Sequence, residues 1–125
     1  MRRWGLRVDV VVAGSKDVAR VKQALVTTAA PRTVITPALA AKIAPHLAGP
    51  QVCSSSPSIG RRCGPTARVD VLVNGCEGAM VRAVVAPLPR GLEMAIGRDV
   101  IERSVNRIQF SPTRPARFVC RAQHR

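Results

Sequence analysis

The chain has 125 residues, the size of one domain, and its 46% apolar and 22% charged residues are typical of a folded protein rather than a disordered one. Its net charge is +13, from 20 basic and 7 acidic residues, and only 2% of the residues are aromatic. So few aromatic side chains argue against base stacking or an aromatic cage, and the lack of an 18-residue apolar run argues against a membrane span.

Alternation and β-branched residues predict strands in the first third of the chain. Leu6–Val12 alternates as a strand with one buried face does, and Val18–Val26 is predicted as a second strand after a turn. Thr33–Ile35 is a short third strand. Thr36 then suits a helix N-cap, with Pro37 to Ala44 as the helix.

The remaining sequence alternates turns with short apolar segments, which predicts further strands and one more short helix. Together the elements indicate an all-β fold, closed or nearly closed like a small barrel, with one or two short helices. In chain order we first expect a loop or long hairpin over Gly49–Thr66, with a polar, mobile middle at Ser54–Gly60. Two strands, Arg68–Val73 and Met80–Ala86, are expected around an Asn74-Gly75 turn, followed by an apolar segment Leu92–Ile96 and a helix at Asp99–Ser104. The chain then continues with a core strand at Asn106–Phe110 and a basic tail Ser111–Arg125, in which Arg117–Cys120 is an edge strand.

Two segments carry a family resemblance: Ala24–Thr36, which reads ALVTTAAPRTVIT, and Leu92–Ile101, which reads LEMAIGRDVI. In this order and separation they resemble the retropepsin-like aspartic proteases, the single-lobe, homodimeric relatives of pepsin. The resemblance covers roughly Leu6 to Phe110, so we take residues 1–110 as the domain and 111–125 as the tail. It implies a closed β fold, a homodimer, and a peptide cleft covered by the hairpin Gln51–Thr66.

The sequence departs from this family at its catalytic Asp-Thr-Gly motif, where it has Thr27, Thr28 and Ala29. The family's reaction needs two carboxylates, one from each subunit, that share a proton and hold a water molecule. A threonine hydroxyl does not ionise near neutral pH, and a symmetric dimer loses both carboxylates at once. We therefore expect no aspartic protease activity, although the family itself is enzymatic.

The resemblance also assigns the other candidate site residues. Thr27 takes the catalytic position, and Thr27 and Thr28 are otherwise simply turn residues. Asp99 is expected to be a structural or helix-start carboxylate, and Arg98 a buried or interface ion-pair partner. The expected substrate contacts are Thr28, Ala29, Ala30, Ile59 and Gly60, and the expected structural residues are Gly97, Arg98 and Asp99.

Four cysteines and two histidines occur without a Cys-x-x-Cys pair, so we expect no metal site, and no cofactor is implied. The basic start of the chain is followed by an apolar stretch that Arg7 and Asp9 interrupt, which argues against a signal peptide. These features favour a cytoplasmic protein with free thiols. The alternative is that Cys53 and Cys63 face each other across a hairpin.

Three functions stay open on the sequence alone. The first is an inactive, homodimeric peptide-binding or interaction module. The second is an active endopeptidase with a noncanonical acid or an acid supplied by a partner. The third is weak binding of nucleic acid or another polyanion, through Arg61, Arg62 and the basic tail.

Overall fold

A computed structural model of the chain describes residues 6–43, 47–73, 78–89, 91–109 and 117–120. The described residues form mainly strands, with two short helices. No helix among them is long and apolar enough to cross a membrane. The elements are β1 (Leu6–Ala13), β2 (Val18–Val26), β3 (Val34–Ile35), α1 (Pro37–Ile43), β4 (Ala48–Ser56), β5 (Gly60–Val73), β6 (Ala79–Val85), β7 (Met94–Ile96), α2 (Arg98–Ser104), β8 (Val105–Gln109) and β9 (Arg117–Cys120).

Seven strands form one sheet in the order β1-β2-β7-β3-β6-β5-β4, and β1 pairs in addition with β5. This second pairing is possible because β5 is 14 residues long and contacts β4, β6 and β1 at successive parts of its length. The pairings therefore lead from β1 through five other strands back to β1, while β4 is attached to β5 alone. Strands β8 and β9 form a separate two-stranded sheet.

The predicted mainly-β composition with two short helices is confirmed. Strand β2 has the predicted bounds, and α1 begins as expected, since the Thr36 hydroxyl accepts a hydrogen bond from the Leu39 backbone N–H at 3.3 Å. Leu39 and Ile43 lie on the buried face of α1. Periodicity and capping are local properties, which is why the sequence locates these elements well.

Four predicted features differ from the structure or lie beyond the described residues. The segment 106–110 was expected as a core strand, but β8 pairs with β9 outside the seven-stranded sheet. The strand predicted from Arg68 is the second half of β5, which already begins at Gly60. The Asn74-Gly75 turn and most of the basic tail lie outside the described residues.

The apolar core has two parts. The larger cluster combines the inward residues of six strands with the buried face of α1 and with Val100 of α2, and β1 and β5 contribute most of its valines. The smaller cluster lies beside the end of β2 and contains a residue from the tip of the β4–β5 hairpin. Its buried members are Leu25, Val34, Ile59, Val84, Ala86 and Ala95.

Candidate functional site

The loop of residues 27–33, called here the 27–33 loop, joins β2 to β3. Strand β7 lies between these two strands, parallel to β2 and antiparallel to β3. The backbone N–H of Thr27 donates to the Ile96 carbonyl at 2.9 Å, and the N–H of Arg98 donates to the Ala30 carbonyl at 2.9 Å. The two segments that carry the resemblance are therefore hydrogen-bonded to each other.

A tight turn forms the first half of this loop. The N–H of Ala30 donates to the Thr27 carbonyl at 3.1 Å, so residues 27–30 make one reverse turn. Thr27 and Ala30 are buried, whereas Thr28 and Ala29 at the tip of the turn are exposed. The turn thus directs Thr28 and Ala29 outward, and the hydroxyl-bearing Thr27 occupies the buried position just after β2.

The second half of the loop is held by Asp99, the second residue of α2. Its carboxylate accepts the Thr33 N–H at 3.1 Å and the Thr33 hydroxyl at 2.8 Å, and it also accepts the Val100 N–H at 2.8 Å. The Thr33 hydroxyl oxygen in turn accepts the N–H of Gly97 at 3.1 Å. Asp99 is therefore committed to positioning the loop. Arg98, expected as a buried or interface ion-pair partner, has an exposed side chain in the single chain.

The β4–β5 hairpin (residues 48–66, called here the hairpin) is fastened to the same loop. The Ser54 hydroxyl donates to the Arg32 carbonyl at 2.8 Å and accepts the Arg32 N–H at 3.2 Å. At its tip, Ile59 is 1% exposed and packs into the smaller apolar cluster. The segment expected to be polar and mobile is partly buried: Ser54, Ser56 and Ile59 point inward, and the four other residues of 54–60 are exposed, among them Gly60 with a φ of 72°.

A disulfide crosses this hairpin between Cys53 and Cys63, which are directly paired in the strand register. Both residues are exposed and alternate with the buried Ser54, so the bond lies on the outer face. The favoured expectation of free thiols is wrong for these two cysteines, and the alternative that they face each other across a hairpin holds. Cys76 lies outside the described residues.

The arrangement holds a backbone turn rigidly but offers no acid at Thr27. Among the described residues, Asp99 is the carboxylate that hydrogen-bonds to the 27–33 loop, and it does so at Thr33. No group of three or more His, Cys, Asp or Glu side chains that could hold a metal ion occurs in the part of the chain that the structure describes. The groups that this turn itself carries are backbone N–H and C=O groups, the hydroxyls of Thr27 and Thr28, and the methyl groups of Ala29 and Ala30.

Sequence reasoning missed the two residues that tie the site together, Thr33 and Ser54. Thr33 was taken as a strand former and Ser54 as part of a polar loop, although both are buried and hydrogen-bonded. Comparison with known proteins adds no further residue, since no protein-family model and no curated protein matches the chain. The family resemblance accordingly rests on the two quoted segments.

We expect Ser54→Ala to lower the free energy of unfolding by about 1–2 kcal/mol, because it removes both hydrogen bonds to the Arg32 backbone. Ser56→Ala is the matched control on the same strand. The buried Ser56 hydroxyl has no hydrogen-bond partner among the described residues, so its removal should leave stability unchanged or raise it. Urea unfolding of the three proteins decides this, and equal losses in both variants would contradict it.

Proposed function

We propose that the chain is a catalytically inactive protein of the retropepsin-like fold that works as a homodimeric peptide-binding or interaction module. The observation that carries the proposal is the Thr27 turn. The resemblance puts the catalytic carboxylate at this residue, yet the position holds a buried hydroxyl. The carboxylate nearest in the hydrogen-bond network, Asp99, is engaged at the far end of the loop.

The strand pairings support the fold part of the proposal. The segments Ala24–Thr36 and Leu92–Ile101 are far apart in sequence, but Leu25 pairs with Ala95 and Val26 with Ile96. The resemblance implies that the second segment closes the loop around the turn. In support of this, the Thr27 N–H donates to the Ile96 carbonyl and the Arg98 N–H donates to the Ala30 carbonyl, so the second segment is hydrogen-bonded to the turn. The return of the strand order to β1 supports the closed, barrel-like lobe.

Binding without hydrolysis is the activity that these groups can support. Peptide hydrolysis on this fold requires a carboxylate pair that divides the roles of acid and base, and a threonine pair has no group for either role near neutral pH. By contrast, the hairpin covers an apolar patch in which Ile59 packs against Leu25, Val34 and Val84. This patch is of a kind that takes an aliphatic side chain, whether from the hairpin or from a peptide.

Two further features suit an extended peptide. Strand β4 is paired on one side only among the described residues, so its other edge can add a strand through backbone hydrogen bonds. The Ser56 hydroxyl, for which the described part of the chain supplies no hydrogen-bond partner, lies buried on the inner face of that strand. Since an unmade hydrogen bond in a buried group costs about 1–3 kcal/mol, a ligand that supplies a partner there gains affinity.

Three other expectations are polyanion binding, a cytoplasmic location and endopeptidase activity. Arg62 donates from Nε to the Ile59 carbonyl at 2.6 Å, so it supports the hairpin tip and is less available to a polyanion. A cytoplasmic location remains a prediction, and the disulfide between Cys53 and Cys63 is more typical of an oxidising compartment. Endopeptidase activity with an acid from a partner is the outcome against which the proposal is tested.

We expect the purified chain to sediment as a dimer and to leave an unfolded, alkylated protein substrate intact from acid to neutral pH. A pepstatin-type peptide serves as the non-cleavable binding probe, and we expect it to bind without any catalytic effect to inhibit. Cleavage that this inhibitor blocks would overturn the inactive assignment. Sedimentation as a monomer at high concentration would overturn the dimer.

The matched variant carries Thr27→Asp together with Ala29→Gly, which restores the family's motif on the same turn. Measurable, inhibitor-sensitive cleavage by this variant alone is the result expected of a retropepsin-like dimer that lacks only its carboxylates. The wild type and the double variant are assayed at equal concentration, with thermal unfolding as the check that both are folded.

A further inference from the structure

Four arginine side chains surround one open cleft beside the 27–33 loop. The cleft encloses about 290 Å³, and Arg32, Arg68, Arg82 and Arg103 line it together with Asp99. These arginines come from the 27–33 loop, β5, β6 and α2, so the fold brings them together from separate parts of the chain. We call this group the arginine cleft.

The lining of the arginine cleft carries four guanidinium groups and one carboxylate. Asp99 is the one acidic residue in the lining, and its oxygens are occupied by Thr33 and Val100. Arg103 donates to the backbone carbonyl of Met80, a neutral acceptor that holds its side chain against β6.

Two of these arginines lie directly opposite each other on neighbouring strands, where like charges repel most strongly. Arg68 and Arg82 are direct partners in the antiparallel pairing of β5 with β6, and both side chains are exposed on the same face. Directly opposite like charges destabilise a sheet, and their Cβ atoms lie only about 5 Å apart. An anion with several oxygens can accept hydrogen bonds from both guanidinium groups at this spacing.

We propose that the arginine cleft binds a small molecule that carries a phosphate or diphosphate group. Four cations against one engaged carboxylate call for a multiply charged anion, which a single carboxylate group does not provide. Guanidinium groups match phosphate oxygens in bidentate geometry. The cleft volume is near the lower end for small-ligand sites, which fits such a molecule and is too small for a nucleic-acid duplex.

Calorimetric titration of the full chain with inorganic pyrophosphate at fixed ionic strength tests this proposal. We expect Arg68→Gln with Arg82→Gln to weaken binding at least about tenfold, because two charge-assisted contacts are lost. The matched control is Arg20→Gln with Lys22→Gln, which removes the same charge from exposed positions of β2 outside the cleft. At moderate salt these distant charges are screened, so the control should stay within about twofold of wild type.

Equal weakening in both double variants would overturn the proposal, since binding would then follow net charge alone. A sugar phosphate, a phosphoserine peptide and a short DNA duplex are titrated in parallel. Tighter, cleft-dependent binding of the sugar phosphate supports a small-molecule ligand, whereas tighter binding of the peptide or the duplex contradicts it.

The thermal midpoint of the Arg68/Arg82 variant should equal or exceed that of wild type, and a lower midpoint would contradict the charge argument. The proposal does not depend on the inactive peptidase fold.

Discussion

Gly97→Ala is expected to lower the free energy of unfolding by more than about 3 kcal/mol. A Cβ atom at this position would lie 2.6 Å from the carbonyl carbon and oxygen of Arg32 and 2.9 Å from the Ala30 carbonyl oxygen. These are backbone atoms of the 27–33 loop, so no side-chain rotation relieves the overlap. Either the loop or β7 must shift, which breaks hydrogen bonds such as that from Arg98 to Ala30. Urea unfolding followed by circular dichroism measures the loss.

Gly91→Ala is the comparison that separates steric overlap from backbone strain. A Cβ at Gly91 meets no atom within 4 Å, but its φ of +86° lies in the left-handed region. The expected cost is therefore only the strain of an L-residue there, about 1–2 kcal/mol. If Gly97→Ala proves no more destabilising than Gly91→Ala, the close approach of β7 to the 27–33 loop is wrong.

Asp99→Ala should be the most harmful removal of a single carboxylate, with an expected loss of about 3–5 kcal/mol. Thr33 is fully buried, and both its backbone N–H and its hydroxyl donate to Asp99. Without the carboxylate these two donors are left in the interior with no partner. The first turn of α2 also loses the acceptor of the Val100 N–H. The measurement is again the free energy of unfolding.

Two further variants show whether the loss comes from these hydrogen bonds. Asp99→Asn keeps one oxygen acceptor for Thr33 but lacks the charge, so it should fall between wild type and Asp99→Ala. Glu93→Ala removes an exposed carboxylate from the same segment and should change stability by less than about 0.5 kcal/mol. A loss from Glu93→Ala as large as that from Asp99→Ala would point to net charge instead of the Thr33 contact.

Local features of the sequence predicted the local features of the structure. The alternation in β1, the bounds of β2 and the Thr36 cap of α1 depend only on neighbouring residues, and the structure has all three. The hairpin tip was harder to predict, because a run of serines has the composition of an exposed loop. Ser54 and Ser56 are buried on one face of β4, and Ser54 finds hydrogen-bond partners in the 27–33 loop, which composition alone does not reveal.

The candidate site was predicted only as far as the family resemblance extends. The resemblance drew attention to Thr27 and Asp99, but the bond between Thr33 and Asp99 joins residues 66 positions apart. Likewise, Arg68 and Arg82 face each other only because of the β5–β6 register, which the sequence alone does not fix. Long-range register and pairing therefore account for the arginine cleft and for much of the site.

The position of β7 between β2 and β3 also constrains the order in which the chain can fold. β2 and β3 are not hydrogen-bonded neighbours, and the loop between them is held by residues 96–99. The β1–β2 pair involves near neighbours and can form while the chain is still being synthesised. The 27–33 loop must wait until residues of β7 and α2 have emerged, and such sequence-distant contacts form slowly. The candidate site is thus among the last parts of the protein to be assembled, and a chain that stops short of Asp99 would lack it.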